Sequence, residues 1–135
     1  SIARKNKETN ILSLLLDLLN PSPSLGWGDT ERISFSKRAK PDLIMALAIV
    51  HHLAISSNIP LELIASQFAS LANRLIIEFI PKEDAKVQFL LHNREDIFPN
   101  YTHVNFEKIF SEHYKIEQRI TSECNQRILY LMTKE

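Results

Sequence analysis

The order of hydrophobic and polar positions divides the chain into short blocks whose spacing predicts a mixed α/β fold. An apolar run over 43–50 ends on His51 and His52, and a second apolar run covers 74–80. Between them, apolar residues recur at the three- and four-residue intervals of one buried helix face, namely Leu61, Ile64, Ala65, Phe68, Leu71 and Ala72. This spacing predicts a βαβ unit with parallel strands at 43–49 and 74–80 and a helix at about 60–72.

Blocks on either side extend the predicted sheet. Residues 11–16 predict a buried strand before the stop signal Asn20-Pro21-Ser22-Pro23, although a leucine-rich run this short also fits a helix turn. A short helix is predicted over 29–38. Further helices are predicted at 83–93 and around 106–110. The runs 115–121 and 126–133, joined by a short polar segment, predict an antiparallel hairpin. Because residues 128–132 are apolar throughout, we expect the second hairpin strand to lie inside the sheet.

The composition of the chain argues against nucleic-acid binding and membrane insertion as functions. The 135 residues suit one domain, and the sixteen basic and sixteen acidic residues are spread along the chain, so we expect no nucleic-acid partner. The longest apolar run is too short for a membrane-spanning helix, and the first ten residues are unlike a signal peptide, so no membrane partner is expected. The single cysteine, Cys124, fits a reducing compartment and favours a cytoplasmic location.

Three polar residues lie near the ends of the two central strands. Ligands of parallel α/β sheets bind beyond the carboxyl ends of the strands, which brings His51 and His52 to the expected binding rim. Each histidine either faces a cofactor or substrate or caps the strand or the following turn. Neighbouring residues of a strand point to opposite faces and no acid or cysteine cluster accompanies them, so no metal site is expected. Glu78 is either a paired structural acid or a residue that faces the site.

Several segments together resemble the class I S-adenosylmethionine-dependent methyltransferases. Asp17, after an apolar strand, resembles the acid that accepts a hydrogen bond from the adenine amino group. Residues 42–53 and 74–82 resemble the fourth and fifth strands with their exits, which line the cofactor and the substrate. The chain is also similar to a bacterial subgroup of methyltransferase-like proteins related to nodulation host-specificity proteins. The segments that carry this similarity are Asn20-Pro21-Ser22-Pro23, Gly26-Trp27, Glu31-Arg32 and Arg94-Glu95-Asp96-Ile97-Phe98.

This resemblance implies a Rossmann-like, mostly parallel sheet with a C-terminal antiparallel hairpin. The family's first two strands and its glycine-rich loop would precede residue 1, so residues 1–135 would form the C-terminal portion of a class I methyltransferase domain. The family inserts its last, reversed strand beside the fifth. We therefore expect the order 43–49, 74–80, 126–132, 115–121, with 126–132 antiparallel to both neighbours.

The resemblance also implies an activity and a set of site residues. The activity is methyl transfer from S-adenosylmethionine to an unknown acceptor, a small molecule or another group. The expected cofactor-binding residues are Asp17, Leu18, Trp27 and Ala48, and the expected catalytic residues are His51 and His52. Asp17 is alternatively a turn former, and Trp27 alternatively plugs the end of the sheet. If the reaction needs a base, His51 or His52 is the candidate, because imidazole titrates near neutral pH.

A non-enzymatic interpretation stands beside the methyltransferase. Without the family's first strand, the strand at 43–49 has an unpaired apolar edge to which another chain can bind. The chain would then be a catalytically silent fragment or an interaction module that self-associates through this edge. Either way we expect a homo-oligomer. Cofactor affinity separates the interpretations, and the missing loop implies that the 135-residue chain alone binds S-adenosylmethionine poorly.

Overall fold

The computed structural model of the chain describes residues 41–134, which belong to one compact unit. Predictions that fall before residue 41 lie outside the described residues. These are the strand at 11–16, the helix at 29–38 and the expected cofactor-binding residues Asp17, Leu18 and Trp27.

The central βαβ unit is confirmed. Strand β1 (Leu43–Ala46) runs parallel to β2 (Arg74–Phe79), and helix α1 (Leu61–Leu71) connects them. The helix begins after Pro60, which has no N–H to leave unpaired in the first turn. One face of α1 is buried, through Leu61, Ile64, Ala65 and Ala69, as the sequence spacing predicts.

The hairpin and the strand order are also confirmed. Strands β3 (Lys115–Thr121) and β4 (Ile128–Thr133) are antiparallel, and the sheet order is β1-β2-β4-β3. Strand β4 is antiparallel to β2 as well, so β1, β2 and β3 share one direction and β4 alone is reversed. The described residues thus form a mixed α/β fold with a four-stranded sheet.

Two further helices and a group of aromatic side chains complete the core. Helices α2 (Ala85–Leu91) and α3 (His103–Ser111) begin at the N-cap residues Asp84 and Thr102, whose side chains accept backbone N–H bonds. The rings of Phe79, Phe106, Phe110 and Tyr130 pack with centroids 4.3–5.3 Å apart. Their residues are buried, so α3 packs against the face of the sheet that β2 and β4 present through these rings.

The prediction for the end of β1 is wrong. The strand ends at Ala46 rather than at residue 49, because the backbone turns into the left-handed region at Ala48, with φ of 54°. Val50 and His51 then start a helical segment that continues as a π-helix, His52–Ser56. A continuous apolar run does not by itself separate strand from helix, which explains the error.

The two faces of the sheet differ in how far their apolar side chains are covered. Ile77, Tyr130 and Met132 lie on the packed face and are fully buried. Met45 and Ile120, on the opposite face, are 62% and 60% exposed, respectively. This second face and the edge strand β1 therefore present exposed apolar side chains, as the helices do at Leu63, Phe89 and Val104.

Across residues 41–134, the structure contains no helix that is both long enough and apolar enough to pass through a membrane.

Candidate functional site

The carboxyl ends of β1 and β2 and the turn of the hairpin lie at the same end of the sheet. Phe79, the last residue of β2, pairs with Ile128, which in turn pairs with Thr121 at the end of β3. Polar groups from these segments form what we call the rim cluster. It consists of Ala48, His51, His52, Glu78, Asp84 and Arg127.

Ala48 and Glu78 join the exits of the two parallel strands. The backbone N–H of Ala48 donates to Oε1 of Glu78 over 3.0 Å. The left-handed conformation of Ala48 costs roughly 1–2 kcal/mol for a residue with a Cβ. Backbone strain of this kind concentrates at functional sites, where surrounding contacts hold it in place. Ala48, an expected cofactor-binding residue, therefore lies at the rim with its backbone fixed by a carboxylate.

Glu78 has a hydrogen-bond partner, as the interpretation of a paired acid requires. Its carboxylate is paired, through Ala48, and its half-buried side chain also lines a pocket of about 220 Å³ at the rim. Arg127 and Asn125 of the hairpin turn line the same pocket. Glu78 is therefore a hydrogen-bonded acid that lies at the rim.

An ion pair between Asp84 and Arg127 connects the loop after β2 with the hairpin turn. Arg127 Nε and Nη2 donate to the two carboxylate oxygens of Asp84 over 2.8 and 3.1 Å. Oδ1 of Asp84 also accepts the N–H of Lys86 over 2.9 Å, as the cap of α2. The hydrogen bond from Arg127 lowers the pKa of the Asp84 carboxyl, so Asp84 stays ionised although it is buried.

His51 and His52 lie in the first turn of a helical segment and not on a strand, which corrects the sequence argument about their faces. Their rings are 4.2 Å apart between centroids. His51 is only 2% exposed, and its Nδ1 has no hydrogen-bond partner within residues 41–134. His52 is exposed and is the one that a ligand can reach.

The environment of His51 corrects the expectation that it titrates near neutral pH. Burial, and then the positive charges of His52 and Arg127, lower its pKa from 6.5 to about 4. The imidazole is therefore neutral at physiological pH, and its conjugate acid is too strong to hold a proton there. Within the rim cluster, a proton acceptor is consequently better sought at the exposed His52.

Sequence reasoning identified the rim but missed its ion pair. Asp84 falls within the helix predicted at 83–93, and nothing in the sequence links it to Arg127, 43 positions away. Across 41–134, no group of three or more histidine, cysteine or acidic side chains could hold a metal ion. Asp17, Leu18 and Trp27 lie outside the described residues, so only Ala48, His51 and His52 of the expected site residues are placed at the rim.

The sequence of the chain is similar to that of a nodulation protein. The chain is 43% identical over 121 residues to "Nodulation protein NoeA" of Rhizobium meliloti (strain 1021). The aligned residues are 90% of this chain but 25% of that protein, so the chain spans about a quarter of the relative's length. No protein-family model matches the chain, and no solved structure matches it. The similarity to a nodulation-related protein is thus confirmed.

Proposed function

We propose that the chain is the C-terminal part of a class I methyltransferase domain with a Rossmann-like sheet, and that its rim cluster faces S-adenosylmethionine and a methyl acceptor. One observation carries this proposal. The reversed strand β4 lies between β2 and β3, in the strand order that the methyltransferase resemblance implies. Three strands that share one direction, with a reversed strand inserted, support the resemblance independently of any single motif.

The rim cluster offers groups that fit an organic cofactor and an acceptor. Ala48 presents a fixed backbone, Glu78 a half-buried carboxylate and His52 an exposed imidazole. S-adenosylmethionine supplies an electrophilic methyl group. The rigid strand exits would orient the acceptor toward it, because transfer by in-line displacement depends chiefly on positioning. His52 would take the proton that the acceptor loses, if that acceptor carries one.

Titration calorimetry of the full-length protein with S-adenosylmethionine tests the proposal. We expect saturable binding to the full-length protein and weak or no binding to the 135-residue chain alone, since the resemblance assigns the glycine-rich loop to residues before this chain. Full-length protein that is folded but does not bind S-adenosylmethionine would overturn the proposal.

A matched pair of variants locates the binding at the rim. Leu47, 50% exposed at the exit of β1, is changed to Glu, and Leu63, 61% exposed on α1, is changed to Glu as the control. Because Leu47 directly precedes Ala48, we expect Leu47→Glu to weaken S-adenosylmethionine binding and Leu63→Glu to leave it unchanged. Equal effects of both substitutions would contradict the proposed location.

A second candidate function is self-association of a catalytically silent module. The observation that favours it is the position of β1 at the edge of the described sheet, with Leu43, Met45 and Leu47 exposed. Such an edge is open to pairing with a second copy. Both candidates keep the expectation of a cytoplasmic homo-oligomer. The balanced charge of the chain supports the expectation that neither nucleic acid nor a membrane is a partner.

A further inference from the structure

A cleft separate from the rim cluster lies between the hairpin, α3 and the loop after β2. We call it the hairpin cleft, and it has a volume of about 700 Å³. The residues that line it and enter the argument are Pro81, Glu83, His103, Arg119, Thr121 and Gln126. Glu83 and Gln126 directly precede the ion-paired residues Asp84 and Arg127, so the cleft is next to the rim cluster but shares no residue with it.

Arg119 is the main cationic group of this cleft, and its guanidinium is held in place from one side. One of its N–H groups donates to Oε1 of Glu107, which also accepts the hydroxyl of the buried Tyr130 over 2.7 Å. A guanidinium has five N–H donors, more than its contacts with Glu107 and Tyr130 use. The Arg119 side chain is 53% exposed, so these donors are accessible.

The other polar residues of the cleft determine where an anionic group fits. His103, the first residue of α3, lines the cleft together with Arg119 and adds imidazole N–H donors. Thr121 and Gln126 add a hydroxyl and an amide donor. Glu83 is the acid that lines the cleft, on the loop after β2. An anion is therefore favoured beside Arg119 and His103, and a hydrogen-bond donor is favoured beside Glu83.

We propose that the hairpin cleft binds a small ligand through a carboxylate or phosphate group, which Arg119 and His103 hold, while a hydrogen-bond donor of the same ligand faces Glu83. A guanidinium with several parallel donors suits such planar or multi-oxygen anions better than an ammonium does. This site goes beyond the proposed methyl transfer and does not depend on it.

NMR titration of the complete chain tests the site, with inorganic phosphate and acetate as separate probes at constant ionic strength. Saturable shifts of the backbone signals of His103, Thr121 and Gln126 are expected with at least one probe. The stronger probe tells whether the site prefers phosphate or carboxylate. Shifts that do not saturate, or that spread over the whole surface, would overturn the proposal.

Arg119→Gln is the decisive variant, because glutamine still offers a donor to Glu107 but loses the charge and the fork. We expect about a tenfold or greater loss of affinity for the preferred probe, the usual scale for removing a charge-assisted contact. Arg74→Gln is the matched control, since Arg74 is exposed at the opposite end of the sheet. Unchanged affinity in Arg119→Gln would also overturn the site.

Two further measurements separate a loss of anion binding from a folding defect and from a failure of the proposed methyl transfer. Arg119→Lys retains the charge and should bind with intermediate affinity, so a loss in Arg119→Gln that Arg119→Lys partly restores is not a folding defect. S-adenosylmethionine binding by the full-length protein should be unchanged in Arg119→Gln. Failure of the cleft and failure of the proposed methyl transfer are therefore seen in different measurements.

Discussion

At the scale of single residues, Ala48 and His51 are each held at a cost in free energy. Ala48 has a left-handed backbone that glycine adopts without penalty. His51 has a buried Nδ1 without a partner within 41–134, and such an unpaired buried group costs about 1–3 kcal/mol. Both residues lie in the rim cluster. Local cost of this kind supports a functional role for the rim rather than a purely structural one.

Ala48→Gly should raise the free energy of unfolding by about 1 kcal/mol, because it removes the steric conflict of the Cβ at positive φ. The greater entropy of the unfolded chain with glycine offsets part of this gain. Urea denaturation measures the change. The control is Ala85→Gly, at the start of α2, where the helical backbone predicts a loss of stability instead. A loss at both positions would show that Ala48 is not strained.

His51 should make the stability of the protein depend on pH below neutrality. Its folded pKa of about 4 is lower than its unfolded value of 6.5, so the unfolded state binds the extra proton between these values. The contribution is fully present above pH 6.5 and is lost as the pH falls toward 4. Between pH 7 and pH 5, the protein should lose about 2 kcal/mol more stability than His51→Leu does, as measured by urea denaturation at both pH values. Parallel losses in the two proteins would contradict the lowered pKa.

At the scale of elements, the sequence predicts the helices and strands whose apolar residues recur at regular intervals, but it does not predict where an element ends without such a signal. The spacing of Leu61, Ile64 and Ala65 identifies α1, and the apolar run of β4 identifies an inner strand. The end of β1 could not be predicted, because alanine is not a residue type that signals positive φ and the apolar residues continue through Val50 into the π-helix.

For the candidate site as well, the sequence predicts the positions of residues but not the contacts between them. The general rule for parallel sheets predicts that His51 and His52 lie near the carboxyl ends of the strands, and the resemblance adds Ala48. The partners of these residues depend on contacts distant in sequence, such as the bond from Ala48 to Glu78, 30 positions apart. Contacts of this kind follow from the tertiary fold and have no local pattern in the sequence.

Asp84 and Arg127 should behave as a coupled pair between two elements. Arg127→Gln should lower the free energy of unfolding by about 2–4 kcal/mol, because it leaves the carboxylate of Asp84 buried without its partner. Adding Asp84→Asn, which keeps the cap of α2, should recover part of this loss. A double-mutant cycle by urea denaturation measures the coupling, and additive effects would show that the ion pair is not important.

At the scale of the whole described unit, the sheet combines a packed face with a face and an edge that remain apolar and exposed. Leu43, Met45 and Leu47 of the edge are between 36% and 62% exposed. Exposed apolar groups along the edge strand of the described sheet favour association with another chain.

The chain should therefore be a dimer or larger at micromolar concentration. Light scattering is expected to give a mass of at least twice 15.6 kDa. Met45→Lys should shift the protein toward the monomer, because a charge at this edge cannot be buried without a partner, and Leu63→Lys on α1 should not. A mass of one chain before any substitution would exclude self-association through β1.

The reversed position of β4 has a consequence for the order in which the protein is made. The ribosome synthesises β1, β2 and β3 before β4, yet β4 is the strand that joins β3 to the rest of the sheet. At about 5–20 residues per second, roughly 3–11 s pass between completion of β2 and completion of β4. During that interval, among the strands of residues 41–134, β2 lacks its partner β4 on one side and β3 has no neighbour. Folding of this unit is therefore completed late, and the nascent chain is more prone to aggregation until β4 emerges.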